Sequence, residues 1–157
     1  MKHTISLLVR NQFGVLARIA GLFSGRGYNI NSLCVAETQD PEFSAMTIVT
    51  SGDDKIIEQI NKQLNKLIDV MKVTDFRDIE YVERELALIK VSTSATTRAE
   101  VLQIVNIFRA KVVDVNPRAL TIEITGGEPK IMAMIDMLKA FGIKEMVRSG
   151  RVALARG

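Results

Sequence analysis

The chain has 157 residues, 47% of them hydrophobic and 25% charged, with a formal net charge of +3. These proportions fit one medium or two small globular domains and exclude a disordered polymer. Lys and Arg are spread without the run of a nucleic-acid arm, the single Cys34 excludes an intrachain disulfide framework, and no stretch reaches the roughly 18 apolar residues of a membrane span. The lone Cys34 fits a reducing compartment, with the cytoplasm as the expected location, and Met1-Lys2-His3 leads straight into a strand pattern without a signal-peptide signature.

From Thr4 to Val9 the apolar residues Ile5, Leu7 and Val9 alternate, the pattern of a half-buried strand. Across Asn11-Gln12-Phe13-Gly14-Val15-Leu16 the period changes, and Val15, Leu16, Ile19, Ala20, Leu22 and Phe23 follow helical spacing. Amides around Gly14 would then be free donors at a helix N-terminus. There a carboxylate could bind with help from the Asn11 side chain, and a residue without Cβ permits close approach. Taken on chemistry alone, the stretch reads as an ordinary strand-to-helix turn before it reads as a site. The helix should stop at Ser24-Gly25-Arg26-Gly27. In Tyr28 to Ala36 the apolar phase shifts, predicting a strand with a bulge near Asn31-Ser32, and Ser44 to Thr50 follows as its hairpin partner. Ser51-Gly52-Asp53-Asp54 offers caps for a helix with Ile56, Ile57, Ile60, Leu64 and Leu67 on one face, and Val70 to Phe76 is a fourth strand. This order is the βαββαβ of a ferredoxin-like sandwich. Two helices on one face leave the other face and the edges open, so self-association is expected.

Charge-rich Arg77 to Glu85 reads as the connector, after which the order repeats. Leu86 to Val91 is a strand, and Thr97-Arg98-Ala99-Glu100 is a possible capping box for a helix with Val101, Ile104, Val105 and Phe108 on one face. Strands flank Asn116-Pro117-Arg118; Pro129 sits near the start of a helix burying Ile131, Met134, Ile135 and Leu138; Gly142 ends it. Ile143 to Val147 and Val152 to Leu154 complete the second half. The expected class is therefore α+β, two ferredoxin-like sandwiches in tandem, divided as residues 1–77 and 78–157. The second half has Ser94-Ala95-Thr96-Thr97 where the first has Asn11 to Gly14, so the anion turn is not duplicated.

Catalytic chemistry is sparse. The sole histidine, His3, and sole cysteine exclude the usual zinc clusters and assisted nucleophiles; His3 reads as an edge-strand residue and Cys34 as small core. Gly25-Arg26-Gly27 and Thr125-Gly126-Gly127 lack nucleotide-loop spacing, and Asp53-Asp54 and Glu83-Arg84-Glu85 read as solvated capping or linking charges. An RNA-recognition module shares this element order, but needs exposed aromatics on its central strands, and aromatic content is only 5%.

The motif Asn11-x-x-Gly14-Val15-Leu16-x-Arg18, followed by Gly21-Leu22-Phe23 and Arg26-Gly27-Tyr28-Asn29-Ile30-Asn31-Ser32-Leu33, resembles the ACT domain of the small regulatory subunits of acetolactate (acetohydroxyacid) synthase. The resemblance continues through Met46-Thr47-Ile48, Gln59 to Lys66, Val82-Glu83-Arg84-Glu85-Leu86 and Arg148-Ser149-Gly150 to Ala153-Leu154-Ala155-Arg156-Gly157. It implies regulation without catalysis. The expected partner is a catalytic large subunit holding thiamine diphosphate, a divalent metal such as Mg and usually FAD; this chain would hold no cofactor, raise its partner's activity and confer inhibition by a branched-chain amino acid, typically valine. It also turns the Asn11 to Gly14 loop into the effector site, facing the second strand of a neighbouring ACT domain in a homodimer. The carboxylate would meet Asn11 and the amides of Gly14, Val15 and Leu16; the ammonium would meet Asn29; Leu16 and Ile30 would form an apolar wall. Cys34 stands where the family suggests a small or hydroxyl residue, a departure that bears on effector preference.

Overall fold

A computed structural model describes residues 1–157. The order is β1 (Lys2–Arg10), α1 (Val15–Gly25), β2 (Asn29–Glu37), β3 (Phe43–Ser51), α2 (Asp54–Asn65), β4 (Val70–Asp75), β5 (Tyr81–Ser92), α3 (Arg98–Ile107), β6 (Lys111–Asn116), β7 (Ala119–Gly126), α4 (Glu128–Leu138), β8 (Ile143–Arg148) and β9 (Val152–Ala155). By contacts the chain forms two compact units, Met1–Val82 with Arg151–Gly157, and Glu83–Gly150.

In the first unit four antiparallel strands run β2-β3-β1-β4. Ile5, Leu7 and Val9 meet Met46 and Ile48 on the face that packs against Val15, Ile19 and Phe23 of α1 and Ile57, Ile60 and Leu64 of α2. Alternation on the strands and the i, i+3, i+4 spacing on the helices thus converge on one core. Asp53 caps α2, its side chain accepting from Ile56 N–H at 2.9 Å. At the end of α1, Tyr28 N–H reaches Phe23 O (2.9 Å) and Gly27 N–H reaches Ser24 O (3.2 Å); Gly27, at φ 71°, makes this paired closure possible. The bulge expected in β2 is present, with Asn31 as the extra residue between Ile30, opposite Thr50, and Ser32, opposite Val49.

Three expectations about this unit need correction. His3 is not at an edge: β1 is interior to the sheet, and the buried ring donates from Nε2 to Gly52 O at 3.0 Å. Cys34 is not core but half-buried on the edge strand β2. The face away from the helices is not wholly open. Thr4, Val49 and Ser32 lie side by side across β1, β3 and β2, and Arg151 covers them, donating from its guanidinium to Thr4 Oγ1 (2.8 Å) and from its amide to Ser32 Oγ (3.3 Å). The closing segment from Arg151, expected in the second half, therefore groups with the first unit, where Arg156 N–H also donates to Glu80 O at 2.9 Å.

The second unit repeats the topology, with strand order β6-β7-β5-β8. Ala87, Ile89 and Val91 of β5 and Leu120, Ile122 and Ile124 of β7 pack on Val101, Ile104 and Val105 of α3 and on Ile131, Met134, Ile135 and Leu138 of α4. The segment expected to be a connector is already strand from Tyr81. Its charge is explained by pairing: Glu85, only 6% exposed, accepts from Nε and, at 3.0 Å, from Nη2 of Arg148 on the neighbouring strand. That hydrogen bonding raises the Arg148 pKa above its ordinary value. The capping box at Thr97 does not form, because Thr97 makes no side-chain cap bond; instead Ser94 Oγ accepts from Thr97 N–H (3.3 Å) while Thr97 Oγ1 accepts from Ser94 N–H (2.9 Å), closing the preceding turn. Gly142, at φ 95°, turns the chain after a 3-10 turn into β8.

Candidate functional site

The loop between β1 and α1 is fastened where it leaves β1. Arg10 N–H donates to Asp69 O (2.9 Å), Asn11 N–H to Glu42 O (2.7 Å) and Asn11 Nδ2 to Pro41 O (2.9 Å), so the loop is tied to the turns before β4 and β3. Gly14 is the N-cap of α1 at φ 86° and ψ −6°, a left-handed conformation that only glycine adopts without strain. Its carbonyl accepts from Arg18 N–H at 3.0 Å. The amide of Val15 donates to Gln12 O (3.3 Å), whereas those of Gly14, Leu16 and Ala17 meet no protein acceptor. With no side-chain cap and no acidic residue in the first turn, α1 presents its positive end uncompensated.

Beside this end lies a cleft of about 260 Å³ whose walls include Asn11, Val15, Leu16, Val35, Glu37 and Met46. Leu16 is 44% exposed and Phe13 stands fully in solvent. Of the residues expected to form the site, Asn11, Gly14, Val15 and Leu16 come together. Val15, however, contributes a core side chain and an amide already bonded, which leaves Gly14, Leu16 and Ala17 as the donors. Asn29 and Ile30 are at the far end of β2, opposite Ser51 and Thr50, while Glu37 at the near end faces Ser44. Eight steps of strand separate the two ends, about 26 Å at ~3.3 Å per residue. One chain therefore cannot bring Asn29 to Asn11.

Two residues beside the turn were not among those expected to form the site. Arg18 lies one helical turn after Gly14, and its Nε donates to Asp69 Oδ2 at 3.0 Å. The i+4 spacing from Gly14 was the sequence signal that would have found Arg18; Asp69, distant in sequence, had none.

A tandem pair of βαββαβ units, the first with uncompensated helix donors beside a cleft walled in part by Leu16, Val35 and Met46, is the architecture of an ACT-type regulatory protein. Residues 5–72 match the family of the AHAS small subunit-like ACT domain, and residues 84–157 match that of the small subunit of acetolactate synthase. The acetolactate synthase small subunit of Aquifex aeolicus is 60% identical over 156 residues, 99% of this chain and 81% of that one. A probable acetolactate synthase small subunit of Archaeoglobus fulgidus is 52% identical over 100% of this chain and 98% of its own. The crystal structure of the Thermotoga maritima small subunit superposes with a TM-score of 0.89 at 43% identity, covering 100% of this chain and 98% of that one. The chain belongs to the acetolactate synthase small-subunit family, the regulatory and non-catalytic subunits of a transferase holoenzyme.

Proposed function

We propose that this chain binds a catalytic acetolactate synthase subunit, raises its rate, and makes it sensitive to valine or a related branched-chain amino acid. The observation that carries the effector part is the trio of unpaired amides at Gly14, Leu16 and Ala17 at the head of α1, where Leu16 also lines a cleft with both polar and apolar walls. A carboxylate satisfies those donors and the helix dipole together, and a short aliphatic side chain suits the cleft wall of Leu16, Val35 and Met46. In this reading the unit that holds residues 1–77 is the effector-binding ACT domain of a cytoplasmic subunit, and Glu83–Gly150 is its second domain. The thiamine diphosphate, Mg and FAD belong to the partner. No helix here is long and apolar enough to cross a membrane.

Affinity purification from cells should recover a thiamine-diphosphate enzyme whose acetolactate output rises when this chain is added back, while the purified chain alone turns over no pyruvate. Turnover by the rigorously purified chain would overturn the reading. Against the RNA-binding alternative, the outward positions of β5 and β7 hold no aromatic but Leu86, Leu88, Lys90, Thr121, Glu123 and Thr125.

The separation of Asn29 from Asn11 along one β2 supports a homodimer in which the Asn29 and Ile30 end of one chain meets the Asn11 to Leu16 turn of another. The exposed edge at β2 offers the unpaired strand such a contact needs. Sedimentation at micromolar concentration should therefore give a dimer, with or without valine. A strict monomer in the presence of valine would remove Asn29 and Ile30 from the effector site.

A further inference from the structure

We infer that Arg18 reads the effector's carboxylate, and that Asp69 holds it in place to do so. This rests on the effector reading of the Gly14 turn given above. The guanidinium is anchored on one side only: Nε and Nη2 both donate to Asp69 Oδ2. The third nitrogen, Nη1, lies over the turn, 3.3 Å from where a Cβ on Gly14 would stand. Nη1 therefore stands beside Gly14 at the head of α1, and it donates to no protein acceptor.

A guanidinium carries five donors in a planar fork, so satisfying one edge with Asp69 leaves the other available to a second carboxylate. Asp69 is suited to the anchoring role. Its side chain is 13% exposed against 52% for that of Arg18, and its carbonyl separately fixes Arg10 N–H at the other end of the loop. One residue thus braces both the loop and the cation over it. Backbone amides accept any anion or carbonyl oxygen, whereas the added cation selects for full negative charge. The inference makes Arg18 a specificity residue for a free α-carboxylate.

Calorimetry with the full chain and two probes, valine and its neutral carboxamide valinamide, tests this. Wild type should prefer valine; Arg18→Ala should weaken valine about tenfold with little change for valinamide, and Arg18→Lys should recover most of the loss. Partial exposure keeps the expected effect at the lower end for a charge-assisted bond. Equal loss of both probes, or failure of Lys to restore the preference, would assign Arg18 a purely structural role and overturn the inference. Unchanged valine affinity in Arg18→Ala, with Asn11→Ala still weakening it, would overturn the inference while sparing the effector site. No valine binding by wild type would overturn both.

Discussion

Gly14→Asp is expected to raise the valine concentration for half-inhibition of the holoenzyme by about one to three decades, the loss of about 2 to 4 kcal/mol of charge-assisted contacts. The new carboxylate would lie in the space of the effector's own, beside Arg18 Nη1, which stands 3.3 Å from the Cβ position. An internal anion would thereby compete with the external one for the same donors. Folding should suffer only modestly: a non-glycine residue at φ 86° costs about 1 to 2 kcal/mol, offset by up to about 1 kcal/mol from a negative charge at the head of α1. Gly14→Ala separates the two causes, because it carries the strain without the charge and should shift inhibition far less. Asn11→Ala should act in the direction of Gly14→Asp more mildly, since it also releases the bond to Pro41 O. Calorimetric titration with valine alongside inhibition curves would decide; an unchanged affinity in well-folded Gly14→Asp would put the effector elsewhere.

The largest stability effect should come from Arg148→Met. Removing the guanidinium leaves the Glu85 carboxylate, only 6% exposed, without its partner on the adjacent strand. An uncompensated buried charge costs about 3 to 5 kcal/mol, reduced here toward about 3 kcal/mol because Arg148 itself is 32% exposed. The double variant Glu85→Leu with Arg148→Met should recover most of that loss, since an apolar pair of similar volume needs no compensation. Chemical denaturation of the two variants and wild type reads the difference. A single variant as stable as wild type would mean that Glu85 reaches water or another donor once Arg148 is gone.

Wherever periodicity alone decided an element, the sequence was sufficient. The alternation of Ile5, Leu7 and Val9 and the spacing of Ile57, Ile60 and Leu64 define the first core, and the phase slip after Ile30 marks the bulge. Composition misled where charge was paired through space. Glu85 resembles linker chemistry until Arg148, 63 residues later, is placed beside it. Ser94 and Thr97 form a local bond pair that competes with the expected capping box, a choice between near-equal hydroxyls that pattern cannot resolve. The return of Arg151 to Thr4 joins opposite ends of the chain and has no local signature. At the turn, the need for glycine at position 14 was legible. The commitment of the Val15 amide to Gln12 O was not, because it depends on the φ and ψ actually adopted.

The extra residue in β2 gives this edge a parity. Ile30 and Leu33 both face the core, across from Thr50 and Ile48, only because Asn31 is skipped in the pairing between them. Deletion of that one residue would leave Ile30 opposite Thr50 in a regular ladder, still facing the core. Deletion of Asn31 and Ser32 together would instead bring Ile30 opposite Val49 and turn it outward. In a lineage of such chains, gaps of even and odd length here have opposite fates, so descent along this strand is constrained by counting as well as by chemistry.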